Sequence, residues 1–99
     1  MAAIDIYAAM ADKTISISDR VKMAILFEDG YNNPDPSTLD DGKQMSAFNF
    51  DPGDYINITK YFNRIITTEK PGGQALDPSD VSDLSTVKDC ETTVADACK

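Results

Sequence analysis

Four of the five prolines in this chain directly follow an asparagine or an aspartate. An Asx side chain caps the first turn of a helix, and proline fits the first helical position because its φ angle is already set. Each Asx-Pro pair therefore predicts a turn or the start of a helix, and together the pairs limit how long any element can be. The pairs are Asn33-Pro34, Asp35-Pro36, Asp51-Pro52 and Asp77-Pro78.

Two helices are predicted after the last two of these pairs. Residues 55–67 carry apolar side chains at helical spacing, and residues 78–97 follow Asp77, which suits the N-cap position. In the second helix Asp83 and Glu91 fall inside or beside the apolar stripe. We therefore expect a weakly amphipathic helix that lies over a partly wet surface. The apolar residues of its stripe are Leu84, Val87, Cys90, Val94 and Cys98.

The first half of the chain gives mixed signals. Residues 2–12 are rich in alanine, which favours a helix. Residues 14–17 alternate like a strand and are predicted to lead into a helix at 19–29, whereas a β-hairpin over 14–28 is the alternative, because the alternation can be continued. Residues 45–50 predict a short strand.

These elements predict the α+β class: a small, mostly helical single domain with a short strand or hairpin element and a C-terminal helix. A chain of 99 residues has room for one domain. Within it we expect a compact part at 1–70, a linker at 71–76 and a docking helix at 77–99. An acidic, Ser- and Thr-rich terminus is ordered only when it docks on something, which could be its own core or a neighbour.

The net charge of −8 limits the partners of this protein. An acidic chain repels nucleic acids and anionic membranes, so neither is expected as a direct partner. No run approaches the roughly 18 apolar residues of a membrane span. The N-terminus lacks the basic region of a signal peptide. The expected location is the cytoplasm or a virion.

Metal and disulfide chemistry find little support in the sequence. There is no histidine, and Cys90 and Cys98 would lie about 12 Å apart along a helix. That separation is too large for one metal ion or for a disulfide within the chain. A bridge between copies is the alternative to two small apolar residues facing the protein. An irregular calcium site at Asp35, Asp40 and Asp41 is the alternative to a solvated acidic loop, which is the favoured interpretation.

Catalysis finds no support either, so the chain is predicted not to be an enzyme and to bind no cofactor or small-molecule substrate. Nucleophilic catalysis by serine or cysteine lacks a histidine base. Lys60 and Arg64 are spaced i,i+4 on the predicted helix, with aromatic residues between them. Two charges are too few to hold a nucleic acid strand. They indicate a solvated face, or a face that pairs with an acidic segment of this chain or a neighbour.

The predicted function is a structural or assembly role through contacts with other protein chains, either copies of itself or members of a larger assembly. An accessory, decoration or connector subunit of a virus-like particle is the specific expectation, because the catalytic residues are missing and the loops are long and rich in Pro and Asp. The alternative is an acidic inhibitor that mimics nucleic acid. In that case carboxylates at 28–54 and 77–96 would stand in for phosphates in a basic site on the partner.

Overall fold

A computed structural model describes residues 3–99 of the chain. Within these residues there are five α-helices and no β-strand, so the structure is all-helical. The α-helices are α1 (Ile6–Met10), α2 (Ile17–Glu28), α3 (Pro52–Glu69), α4 (Pro78–Ser82) and α5 (Val87–Ala97), and two 3-10 helices span Pro36–Thr38 and Met45–Phe48.

The prediction of an α+β fold is wrong, and the first reason is the start of α2. The Ser16 hydroxyl accepts a hydrogen bond from the Asp19 amide at 3.1 Å and caps the helix, which begins at Ile17. The alternating residues 14–17 are therefore a turn and a helix start. A β-hairpin at 14–28 is ruled out for the same reason, because α2 occupies most of that range.

The predicted strand at 45–50 is also wrong. Met45–Phe48 form a 3-10 helix that ends at Asn49, whose φ of 56° is left-handed. The nearest feature to a sheet is a single antiparallel bridge between Gln44 and Thr86. Asparagine tolerates the left-handed conformation better than most residues, which explains a stop at this point.

The predicted helix at 78–97 is two helices, α4 and α5. The Thr86 hydroxyl accepts from the Asp89 amide at 3.1 Å, and the Asp89 carboxylate accepts from the Thr86 amide at 3.1 Å. This capping box starts a new helix and breaks the old one. The helix predicted over residues 2–12 is shorter in the structure, where it is α1. Residue 2, at the start of the predicted helix, lies outside the described range.

Helix α3 is the centre of the fold, because it contacts each of the other four α-helices. One face of α3 is fully buried, and so are residues of α4 and α5 that pack against the same core. The C-terminal residues therefore dock on the chain's own core. No helix among residues 3–99 is long and apolar enough to cross a membrane. The fully buried residues of α3, α4 and α5 are Ile58, Phe62, Ile65, Ile66, Val81, Val87, Cys90 and Val94.

Candidate protein interaction surface

The face of α3 that points away from the core includes the exposed residues Ile56, Lys60, Arg64 and Thr67. Their spacing of three or four residues places them on one side of the helix. We call these four residues the α3 stripe. Ile56 is the exception among them, because its side chain is apolar and is 45% exposed.

Beside the first turns of α3 lies a groove of about 460 Å³ with mostly apolar walls. We call it the apolar groove. Pro52, Tyr55 and Ile56 line it from α3, and Pro78 lines it from the start of α4. It offers a concave apolar surface next to an exposed isoleucine. Its full lining is Phe50, Pro52, Tyr55, Ile56, Pro78, Ser79 and Ser82.

Aromatic packing and a helix cap fix the wall of the apolar groove. The Phe50 ring stacks on Phe48 with centroids 5.0 Å apart and meets Tyr55 edge-on at 5.8 Å. Asp51 and Asp54 form a capping box at the start of α3, with bonds of 2.8 and 3.0 Å between each carboxylate and the amide of the other residue. The groove is thus built on a well-held helix start.

The opposite wall is fixed by the chain segment that leads into α4. The Asn63 amide group donates to the Leu76 carbonyl at 3.0 Å and accepts from the Leu76 N–H at 2.8 Å. Ser82, six residues later, lines the apolar groove together with Pro52. Helix α4 therefore runs back towards the start of α3, and its end lies near that start.

A second groove, of about 490 Å³, lies between α1 and the second half of α3. We call it the basic groove, because Lys60 and Arg64 line it together with Tyr7. The Tyr7 ring is 45% exposed and meets Tyr61 edge-on, with centroids 5.6 Å apart. Among residues 3–99, neither Lys60 nor Arg64 has a carboxylate partner in an ion pair. Both cations are therefore free to bind an external acid.

Negative charge gathers in the two chain segments that form the apolar groove. Asp51, at the start of α3, and Asp83, just after α4, are both exposed. The two segments that supply the apolar groove, 44–59 and 71–87, contain five aspartates and no lysine or arginine. At 100° per residue, however, Asp51 lies on the opposite side of α3 from Lys60, so the only charges of the α3 stripe are the two cations.

The remaining interaction residues expected from the sequence lie elsewhere. Val87, Cys90 and Val94 on α5 have no exposed surface and pack in the core. Leu84, between α4 and α5, and Cys98, after α5, are half-buried against the same core. Their apolar spacing reflects packing within the chain.

Sequence reasoning missed Ile56. At 100° per residue it falls outside the apolar stripe formed by Ile58, Phe62 and Ile65, and on the same side as Lys60. A large aliphatic residue on the polar side of an amphipathic helix was the available signal.

A group of ionisable residues joins α2, α5 and the loop before the second 3-10 helix. The Lys22 ammonium lies 3.0 Å from the Asp41 carboxylate, and the Lys88 amide donates to the Asp41 carbonyl at 2.8 Å. Burial, and then a hydrogen bond with the Asp41 carboxylate, raise the pKa of Glu91 to about 7. These contacts tie α2, α5 and the loop together, which gives the group a structural role.

The remaining acidic and sulfur groups offer little chemistry. Burial raises the pKa of the Cys90 thiol to about 12, so it stays protonated and unreactive. Asp35 accepts from the Ser37 hydroxyl at 2.7 Å and from its amide at 3.0 Å, which makes it a local cap. In the described part of the chain no group of three or more His, Cys, Asp or Glu residues could hold a metal ion.

No protein-family model matches this chain, and no curated protein and no solved structure matches it. Its function is therefore inferred from its own geometry.

Proposed function

We propose that this protein is a non-enzymatic assembly protein that acts through protein–protein contacts, and that the α3 stripe with the apolar groove is its contact surface. One observation carries the proposal. Ile56 is 45% exposed at the edge of a groove whose other walls are also largely apolar. Fully burying an isoleucine contributes about 1.5–3 kcal/mol, so a partner that covers Ile56 gains a substantial part of that energy.

The proposed surface has the composition of a small protein interface. An apolar centre, formed by Ile56 and the apolar groove, lies beside the cations Lys60 and Arg64 of the α3 stripe. Interfaces of this kind gain affinity from the apolar centre and specificity from the charged rim. The expected partners are other protein chains, as for an accessory or connector subunit of a larger assembly.

The chain has no histidine, and the pKa values of its two thiols are raised. Both observations favour a contact role over catalysis. Cys90 is enclosed in the core, and burial also raises the pKa of Cys98. Many of the carboxylates have a local explanation, because they cap helices or 3-10 turns. The carboxylates that accept a capping hydrogen bond from a backbone amide belong to Asp5, Asp35, Asp51, Asp54, Asp80 and Asp89.

That capping role also weakens the alternative of an acidic inhibitor that mimics nucleic acid. A mimic needs carboxylates arranged as a strand of phosphates, whereas those at 28–54 and 77–96 are distributed over several helix starts. The two functions differ in their salt dependence. Binding of a mimic to a basic site falls steeply with salt, because it depends on charge alone.

The proposal is tested by sedimentation velocity on the purified protein and on the protein in an extract of the cells that naturally make it. We expect a mass above the 10.8 kDa of the single chain in at least one of the two. Substitution Ile56→Glu should return the protein to the mass of a monomer, and Thr92→Glu, an exposed change on α5, should leave the complex intact. A wild-type monomer in both samples contradicts the proposal.

A further inference from the structure

We propose that the partner of the α3 stripe is an acidic amphipathic helix of another protein, which places an apolar side chain against Ile56 and carboxylates against Lys60 and Arg64. This inference rests on the proposed function and names the chemistry of the partner. It is carried by an exposed isoleucine that shares one face of α3 with two cations, neither of which has a carboxylate partner among residues 3–99.

The three side chains form a line along α3. Each step of four residues turns the helix by about 40°, so Ile56, Lys60 and Arg64 fall within about 80° of one another and span about 12 Å along the axis. All three side chains are exposed. A partner that lies along α3 therefore meets an apolar contact first and two positive charges after it.

Neighbouring acids do not compensate the positive charge of this face. Residues 55–68 contain no aspartate or glutamate, although the chain has 17 of them. The Glu28 carboxylate lies beside α3, but it accepts hydrogen bonds from the Asn57 amide group and the Tyr61 hydroxyl, each at 3.2 Å. In a chain with a net charge of −8, this face is therefore a local site for carboxylates from outside.

The basic groove gives these carboxylates a formed place. The Tyr7 ring lines it beside Lys60 and Arg64, and the edge contact with Tyr61 holds that ring in position. The aliphatic stem of a glutamate can pack on the exposed ring while its carboxylate reaches the cations. Because a guanidinium binds a carboxylate through two parallel N–H bonds, Arg64 can also fix the direction of the incoming group.

A helix matches the spacing of the α3 stripe better than an extended segment does. Residues four apart on a helix are separated by about 6 Å along its axis, which is the repeat from Ile56 to Lys60 to Arg64. A helix with one apolar residue and with acids four and eight positions away from it meets all three side chains. Its apolar residue also reaches the apolar groove, which Pro52 and Tyr55 line next to Ile56.

A nucleic acid fits this surface less well. Its phosphates can pair with Lys60 and Arg64, but it has no apolar side chain to cover Ile56. The net charge of −8 repels both kinds of partner. The apolar contact offsets part of that repulsion for an acidic helix, so we expect a modest affinity that depends on both the isoleucine and the cations.

The first experiment uses two alanine-based helical peptides of about 20 residues, a length that supports an isolated helix. One carries a leucine with glutamates four and eight positions after it, and the other has the reverse order. At about 50 mM salt, where screening is weak, one of them should bind with a dissociation constant below about 1 mM in an NMR titration. Shift changes should centre on Ile56, Lys60 and Arg64. Binding there by either peptide supports the inference, and binding by neither overturns it.

Charge variants test the pairing. Lys60→Gln/Arg64→Gln should weaken binding of the peptide about tenfold or more, because both charge pairs are lost. The matched control Lys13→Gln/Lys99→Gln makes the same charge change at exposed positions on other parts of the chain and should bind as the wild type does. Replacing the leucine of the peptide by alanine should also weaken binding. An equal loss in the two protein variants would mean that only the overall charge matters, and would contradict the inference.

Further outcomes separate this inference from the proposed function. Tighter binding of a single-stranded oligonucleotide of about ten thymidines than of either peptide would overturn the acidic helix as partner. So would a purified protein that dimerises by itself and becomes a monomer on Ile56→Glu. If neither peptide binds and Ile56→Glu still abolishes the complex in the natural extract, the contact surface stands and its partner has a different chemistry. A monomer in the extract and in the purified sample, with no peptide bound, overturns both.

Discussion

Ser18 on α2 donates a hydrogen bond to the carboxylate of Glu91 on α5, across 73 positions of sequence. Glu91 is only 4% exposed, and its second oxygen, Oε2, accepts no hydrogen bond from the described residues. The charged groups that act on it are Asp41 from the loop, Lys22 from α2 and Lys88 from its own helix. Burial and the Asp41 carboxylate outweigh the two cations, so the pKa of Glu91 is raised to about 7.

The substitution Glu91→Gln is expected to stabilise the protein above pH 7. The folded state binds a proton at Glu91 between its ordinary pKa of 4.5 and about 7, whereas the unfolded state releases it. This stabilisation is complete below pH 4.5 and is lost as pH rises through 7. Glutamine stays neutral and can bond to both Ser18 and Asp41, so the gain at pH 8 should be about 2 kcal/mol. Urea unfolding at pH 5, 6, 7 and 8 measures it.

The matched control for this pH dependence is Glu69→Gln, which alters a carboxyl whose partner is Arg20 on another part of the chain. It should lower stability without removing the slope between pH 5 and 8. If the stability of Glu91→Gln still falls with pH as steeply as that of the wild type, a group other than Glu91 causes the pH dependence.

A second prediction concerns Arg20, which is 1% exposed. Its guanidinium donates to the Met10 carbonyl at 2.9 Å and lies 3.3 Å from the Glu69 carboxylate. Arg20→Met leaves a buried carbonyl and a carboxylate without their partner, so the free energy of unfolding should fall by about 2–4 kcal/mol. Arg64→Met removes an exposed arginine and should change it by less than about 0.5 kcal/mol. Equal effects in urea unfolding would contradict the structural role of Arg20.

The helix-forming signals were local, and they predicted those parts of the fold well. The apolar spacing over 55–67 predicted a helix, which the structure extends to Pro52–Glu69. The prediction of a strand at 14–17 was wrong because a four-residue alternation suits a strand and a capped helix start equally. Ser16 decided between them through its bond to Asp19.

The break between α4 and α5 combines the local Thr86–Asp89 capping box with contacts to a distant part of the chain. The Met45 amide donates to the Ser85 carbonyl at 2.8 Å, and the Val87 amide donates to the Lys43 carbonyl at 3.0 Å. These bonds fix the chain on both sides of Thr86, the N-cap residue of α5. Lys60 and Arg64 were predicted to lie on the surface of the helix. The apolar groove could not be predicted from the local sequence, because it forms only when α4 folds back on α3.

The third prediction is that the two cysteines differ in reactivity. Cys90 is fully buried, and its pKa is raised to about 12, so alkylation should need global unfolding. Cys98 is half-buried after the end of α5, so it should react through local opening. Mass spectrometry after timed treatment with iodoacetamide measures both rates. Equal rates in native buffer would show that α5 detaches as a unit.

The last prediction is that removal of residues 74–99 unfolds the protein. Val81, Val87, Cys90 and Val94 have no exposed surface, and their loss uncovers the buried face of α3. At about 2 kcal/mol per buried side chain, the loss is about 8 kcal/mol, which is comparable to the total stability of a small domain. Circular dichroism should show a non-cooperative thermal transition for this truncation, whereas removal of Cys98 and Lys99 alone should keep it cooperative. A cooperative transition after the larger deletion would mean that residues 3–73 fold without the C-terminal helices, and that α4 and α5 are a docked segment and not part of the core.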